Sequence, residues 1–206
     1  MQKVDGFSQP MEFTGIPETS SWAGYDFLQW TGSVFHPGLD YNFGAGEADN
    51  GKPIFNIANG IVEKCIYWDG KTTGFGNHLF TRHIAEFDIE CDGTVIKAGQ
   101  KFYSHYCHLK SINVKEGDEI EKGKMIGTCG GSGGWASHLH LELRLPIGLG
   151  YESWVKGWSA EKVLQYYLDP FQVIEKYKTI PYSPSASPSS TPSNSISPSP
   201  SSTPSR

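Results

Sequence analysis

Short apolar or alternating runs recur through the middle of the chain, each followed by a glycine-containing turn. They cover Ile54–Ala58, Ile61–Trp68, His78–Ile84, Lys101–Leu109, Lys124–Cys129 and His138–Leu145, and the turn signals include Asn59-Gly60, Asp69-Gly70, Asp92-Gly93 and Gly117-Asp118. Runs of this length, rich in β-branched and aromatic residues, predict a mainly β, antiparallel domain, either a small sandwich or an open barrel. Between Val114 and Gly127, apolar residues at 114, 120, 125 and 126 are set among glycines at 117, 123 and 127. That spacing reads as tight turns feeding a buried strand. One short helix is expected over Ser159–Leu168, with Ser159 as its cap and Asp169-Pro170 as its stop.

The two ends lack this pattern. Residues 1–34 carry Trp22, Tyr25, Phe27 and Trp30 without a steady period and read as an irregular leader packed on the domain. Residues 182–206 are dominated by Ser, Pro and Thr, with Ile196 the one large apolar residue after Tyr182. So little apolar surface cannot offset the entropy of ordering, so this stretch reads as an extended linker, leading to an anchor or binding domain beyond Arg206. The folded unit is then 35–181, with its motifs between 35 and 145.

Composition narrows the partners. The 206 residues hold 24 glycines, which favours turns and short strands over a helix bundle, and the formal net charge is −5. A chain of this sign is poorly suited to neutralising phosphates, which argues against nucleic acid. No apolar run reaches membrane-spanning length, and Met1–Pro10 lacks the pattern of a signal peptide. The four cysteines, at 65, 91, 107 and 129, show no C-x-x-C spacing. This argues against a cysteine-built zinc site and leaves three disulfide pairings open.

Chemistry concentrates in histidine and aspartate. A period of two through His138-Leu139-His140-Leu141-Glu142 puts both imidazoles and the carboxylate on one face and the leucines on the other. The bland alternative is a solvated polar face over a leucine core. His36-Pro37-Gly38-Leu39-Asp40 returns an imidazole and a carboxylate to one side of an extended segment, since Pro37-Gly38 disfavours a helix. His36, Asp40 and one histidine of the 138/140 pair form a set that catalytic zinc accepts, with the second histidine left to carry a proton. His108 joins them in Tyr106-Cys107-His108-Leu109, whereas strand alternation puts His105 on the opposite face from His108. The same alternation makes Cys107 and His108 a poor nucleophile pair.

Taken in order, His36-Pro-Gly-Leu-Asp40, Gly76-Asn77 leading to His83, Tyr106-Cys-His-Leu109, the 114–127 turn pattern and Gly133-Gly-Trp-Ala-Ser-His-Leu-His-Leu-Glu142 resemble the lysostaphin/LytM-type zinc metalloendopeptidases. Members of that family cut cross-bridge or stem peptides of bacterial peptidoglycan. The resemblance implies an antiparallel β domain with one Zn2+ in a groove, held by His36, Asp40 and His140, with His108 and His138 as catalytic histidines. The sequence does not decide which of the two takes the proton of the attacking water and which bonds the oxyanion; His138 is favoured for the first and His108 for the second. It also implies peptidoglycan peptide as substrate, a monomer, and action at the cell wall, outside the cytoplasm or in the periplasm. His83, Tyr106 and Trp135 are candidates for supporting the ligands or lining the groove. The glycines around Trp135 suggest a flexible wall, and His78 and His105 read as structural. Some relatives have lost the site and only activate other hydrolases, so the alternative is a non-catalytic wall-binding or amidase-activating module. A lipoyl-carrier-like module ranks far lower, as it leaves the five site residues unexplained.

Overall fold

A computed structural model of the chain describes residues 2–12, 24–42, 44, 46–148 and 150–178. In chain order the strands are β1 (Leu39–Tyr41), β2 (Pro53–Phe55), β3 (Gly60–Ile66), β4 (Asn77–Ile84), β5 (Ile89–Cys91), β6 (Thr94–Ile96), β7 (Lys101–Ile112), β8 (Glu119–Ile120), β9 (Met125–Cys129) and β10 (Leu139–Arg144), followed by helix α1 (Ala160–Leu164), strand β11 (Tyr167–Leu168) and helix α2 (Pro170–Tyr177). Every pairing between strands is antiparallel. Six strands lie in the order β1, β10, β7, β4, β3, β8; β11 joins at β10, while β9 joins at the far end of β7 and carries β2. The sheet does not close into a barrel.

Each predicted run forms a strand, trimmed or extended at its ends. The period of two in β10 is realised: Leu139, Leu141 and Leu143 are fully buried in the main core with Ile54, Leu79, Tyr106 and Leu109. Its polar face is not solvated. His140, Glu142 and Arg144 are also buried, beneath a layer that includes Phe75, Tyr151 and Trp154. Val155, Val163 and Tyr167 form a smaller apolar cluster beside it with Phe27, Phe35 and Trp158.

The leader packs as expected where it is described. Val4 and Phe7 are buried in the main core and bridge to Ala85 and Lys178. Trp22 and the Ser/Pro tail lie outside the described residues. The helix expected to reach Leu168 ends at Leu164, because β11 leaves the helical path to pair with β10. Asp169-Pro170 is not a stop but the start of α2. The Asp169 side chain accepts from the backbone N–H groups of Phe171 and Gln172, and Pro170 takes the first turn, where its missing N–H has no helical partner to lose. All four cysteines are free thiols.

Candidate active site

The site is assembled by two strand pairings. Between β1 and β10, Asp40 lies opposite His140, which joins the His36–Asp40 motif to the His138–His140 motif. Gly38 permits this closeness: a methyl on it would lie 2.5 Å from the carbonyl oxygen of Leu141 and 2.9 Å from Cε1 of His140. As a result His36 Nε2 lies 2.9 Å from His140 Nδ1 and 3.3 Å from Asp40 Oδ1, while His140 Nδ1 lies 2.9 Å from that same oxygen.

The outward-facing atoms of this trio are anchored. His36 Nδ1 is 3.2 Å from the carbonyl oxygen of Asp26, Asp40 Oδ2 accepts from the Tyr25 N–H at 2.9 Å, and His140 Nε2 is 3.1 Å from Glu142 Oε1. Burial works against ionising Asp40, but hydrogen bonds from His140 and His36 outweigh it and hold the carboxyl well below its usual range. Burial likewise works against a charged His140. Asp40 and Glu142 overcome it and raise the imidazole to about 9. Two nitrogens and one ionised oxygen, with their partners fixing which atoms face inward, suit a zinc ion by donor type and number.

The second pairing is between β7 and its neighbours, and it contains a departure from strand alternation. Leu79 pairs with Tyr106 and Asn77 with Leu109, so β7 holds one more residue than β4 across this interval. His108 sits in that β-bulge with φ of 61°, a left-handed conformation uncommon outside glycine. The extra residue overturns two expectations from alternation. His105 and Cys107 lie opposite Glu142 and His140 and face the same side as His108, not the far one. Tyr106 and Leu109 both reach the main core.

His108 lies beside the trio, its ring centroid 4.6 Å from His138 and 6.1 Å from His140. His108 Nδ1 is 3.1 Å from the carbonyl oxygen of Ser132, and His138 Nδ1 is 2.8 Å from that of Ala136, so each ring turns Nε2 inward. Burial, with His138 and His140 nearby, keeps His108 well below the usual histidine range and therefore neutral. His138 Nε2 is 3.8 Å from Asp40 Oδ2. The structure thus brings all five expected residues together.

Of the three further candidates, only Trp135 reaches this cluster. It is half-exposed, 6.0 Å from the His108 ring, and its indole N–H donates to the Gly74 carbonyl. The wall around it is tied down: Gly74 N–H bonds to Gly133, and the Ser132 hydroxyl bridges the Asn77 N–H and the Leu109 carbonyl. His83 and Tyr106 are on the opposite face of the sheet. His83 is held by the Asn59 carbonyl and the Ser104 hydroxyl, and the Tyr106 hydroxyl by Ile57 and Asn56.

Sequence reasoning missed the reach of Glu142, whose second oxygen lies 3.0 Å from His105 Nδ1. Its place on the histidine face of β10 was the available signal. It also missed Phe75, stacked on His78 and edge-on to His105, and Trp154, 5.8 Å from His140; no pattern marked either.

The model described as Peptidase family M23 matches residues 34–152. Among curated proteins, the Peptidoglycan DD-endopeptidase ShyC of Vibrio cholerae is 32% identical over 108 residues, which are 52% of this chain and 19% of that protein. Lipoprotein NlpD of Yersinia enterocolitica is 31% identical over 94 residues, 46% of this chain and 78% of that one. Among solved structures, the catalytic domain of lysostaphin from Staphylococcus simulans is 25% identical, with a TM-score of 0.44 over 74% of this chain and 90% of its own. With the family model covering more than half of the sequence, the chain belongs to peptidase family M23.

Proposed function

We propose that this chain is a zinc-dependent endopeptidase acting on peptides of bacterial peptidoglycan, outside the cytoplasm, with His36, Asp40 and His140 as metal ligands and His108 and His138 as catalytic residues. One observation carries the reading: His36 Nε2, Asp40 Oδ1 and His140 Nδ1 converge within 2.9–3.3 Å, with two inward-turned imidazoles beside them. The peptidoglycan-directed relatives support the substrate class. Bound zinc supplies Lewis acidity to a carbonyl oxygen and to water.

The histidines divide the proton work. A neutral His108 that donates Nδ1–H to Ser132 has a lone pair on Nε2, so it accepts a proton from the attacking water more readily than it donates to an oxyanion. His138, whose Nε2 lies 3.8 Å from Asp40 Oδ2, is then the ring that faces the leaving amine. This reverses the assignment favoured from the sequence, which left the split undecided. Trp135 and Trp154, both partly exposed and flanking the histidines, supply apolar faces against which a peptide or sugar packs.

Digestion of purified peptidoglycan, with fragments identified by mass spectrometry, tests the proposal. The parent should release new peptide termini, lose the activity with a chelator and regain it with Zn2+. His140→Ala should lose metal and cleavage together. His108→Ala and His138→Ala should keep the metal and lose on the order of 10²–10⁴ in rate. A substrate with a good leaving group should restore turnover to His138→Ala but not to His108→Ala. Equal cleavage by the parent and all three variants would refute the site. A parent that binds zinc and cleaves nothing would instead support an activator, as the Murein hydrolase activator NlpD of Salmonella typhimurium is described.

A further inference from the structure

Beside the proposed zinc ligands, on the same face of the sheet, a second set of donor atoms converges that the peptidase chemistry does not use. His78 Nδ1 lies 2.7 Å from His105 Nε2, and Cys107 Sγ lies 3.1 Å from that same nitrogen. All three side chains are buried. The β4–β7 register brings His105 opposite Phe80, two residues from His78, and ordinary alternation along β7 puts Cys107 on the same face as His105.

Hydrogen bonding alone satisfies this cluster poorly. His105 Nδ1 lies 3.0 Å from a Glu142 carboxyl oxygen, an acceptor that fixes the proton on Nδ1 and leaves a single lone pair on Nε2. Both His78 Nδ1 and Cys107 Sγ lie within 3.1 Å of that nitrogen, so a proton on each would compete for one lone pair. A cation among the three atoms removes the conflict by accepting a lone pair from each. The surroundings also suit a metal. A carboxylate behind a ligating imidazole is the usual way to fix its tautomer. Phe80 stacks on the His105 ring at 3.8 Å and Phe75 on the His78 ring at 5.3 Å, which restrains both ligands.

We propose that His78, His105 and Cys107 form a second, buried metal site for a thiophilic divalent cation of the zinc type. Two imidazoles and a thiolate select against Ca2+ and Mg2+, which prefer oxygen. On binding, Cys107 gives its proton to solvent as the sulfur–metal bond forms, and His78 carries its proton on Nε2 so that Nδ1 can ligate. The thiolate and Glu142 offset the charge of the ion. Glu142 also couples this site to the first, since its two oxygens hold His140 and His105.

Cobalt distinguishes the two sites, because only the second supplies a thiolate. The metal-free full chain is titrated with Co2+, both folded and during refolding, since the closed site needs an opening to load. The parent should bind two equivalents and develop a near-ultraviolet thiolate-to-cobalt absorption. His36→Ala should bind one equivalent with that absorption intact. Cys107→Ser should bind one without it. His78→Gln should weaken the second equivalent at least about 10-fold, the scale on which metal-site partners act, while leaving the circular dichroism spectrum unchanged. A parent that takes one equivalent without thiolate absorption under both loading conditions overturns the proposal, as does an absorption that persists unchanged in Cys107→Ser.

Discussion

Gly38→Ala tests whether β1 must lie as close to β10 as the ligand set requires. The added methyl would sit 2.5 Å from the Leu141 carbonyl oxygen, 2.9 Å from Cε1 of His140 and 3.0 Å from its Nε2. Reaching ordinary contact near 3.4 Å requires the His140 ring to retreat by roughly 0.5 Å and the carbonyl by roughly 0.9 Å, at or beyond the about 0.5 Å within which a binding constellation must be held. Overpacking of this kind costs about 1–3 kcal/mol. For a chain of this size that lowers Tm by roughly 2–12 °C. Because the displaced ring is a proposed ligand, zinc affinity should also fall, by about 10–100-fold, as when a ligand's supporting partner is removed. Calorimetric Tm and competition with a chromophoric chelator measure the two effects. Gly74→Ala is the control, since an added methyl there meets nothing within 4 Å. A Gly38→Ala protein with the parent's Tm and zinc affinity would show that the strand spacing does not hold the ligands.

Three further outcomes are expected. Glu142→Gln should weaken zinc binding by about 10–100-fold, read by the same competition, because His140 loses the carboxylate that orients its Nε2–H. Burial depresses His83 to about 4, whereas an unfolded chain's histidine titrates near ~6.5. Between those values only the unfolded state takes up the proton, so stability is full above pH 6.5 and falls as the pH drops towards 4. Other buried histidines add to the loss, so urea unfolding at pH 7 and pH 4.5 should show a drop about 2–3 kcal/mol larger in the parent than in His83→Gln. Asp169→Ala should cost about 0.5–2 kcal/mol in the same assay by leaving the first N–H groups of α2 uncapped.

Much of the fold was legible because β10, β7 and β4 obey the simplest rule, with one face packed into an apolar core. The parts that escaped depend on contacts distant in sequence. Tyr167 and Leu168 continue a helical pattern yet form a strand, because β10 has a free edge there. Asp169-Pro170 serves equally as helix stop and helix start, and only the chain after it decides, where Val173 and Ile174 dock on the core. The stretch 85–100, long for a connection, is taken up by the β5–β6 hairpin turning at Asp92-Gly93. The Asp92-Gly93 turn signal was visible; a strand on either side of it was not inferred.

The site shows the same division more sharply. Its five histidine and aspartate residues were legible from spacing and from likeness to a family, but their support was not, because strand alternation fails where the chemistry lies. One extra residue in β7 turns His108 towards His138 without moving Tyr106 or Leu109 out of the core. The cost is a non-glycine residue at φ 61°, on the order of 1–3 kcal/mol. A regular strand would avoid that cost but would direct His108 away from His138 and His140. Cys107, two residues from His105, shares its face by ordinary alternation, so the second donor cluster forms without the insertion. The His108 role therefore depends on a backbone irregularity that the proposed cation site does not need. His108→Ala should lower cleavage and leave the cobalt–thiolate absorption intact, whereas Cys107→Ser should remove the absorption and leave cleavage.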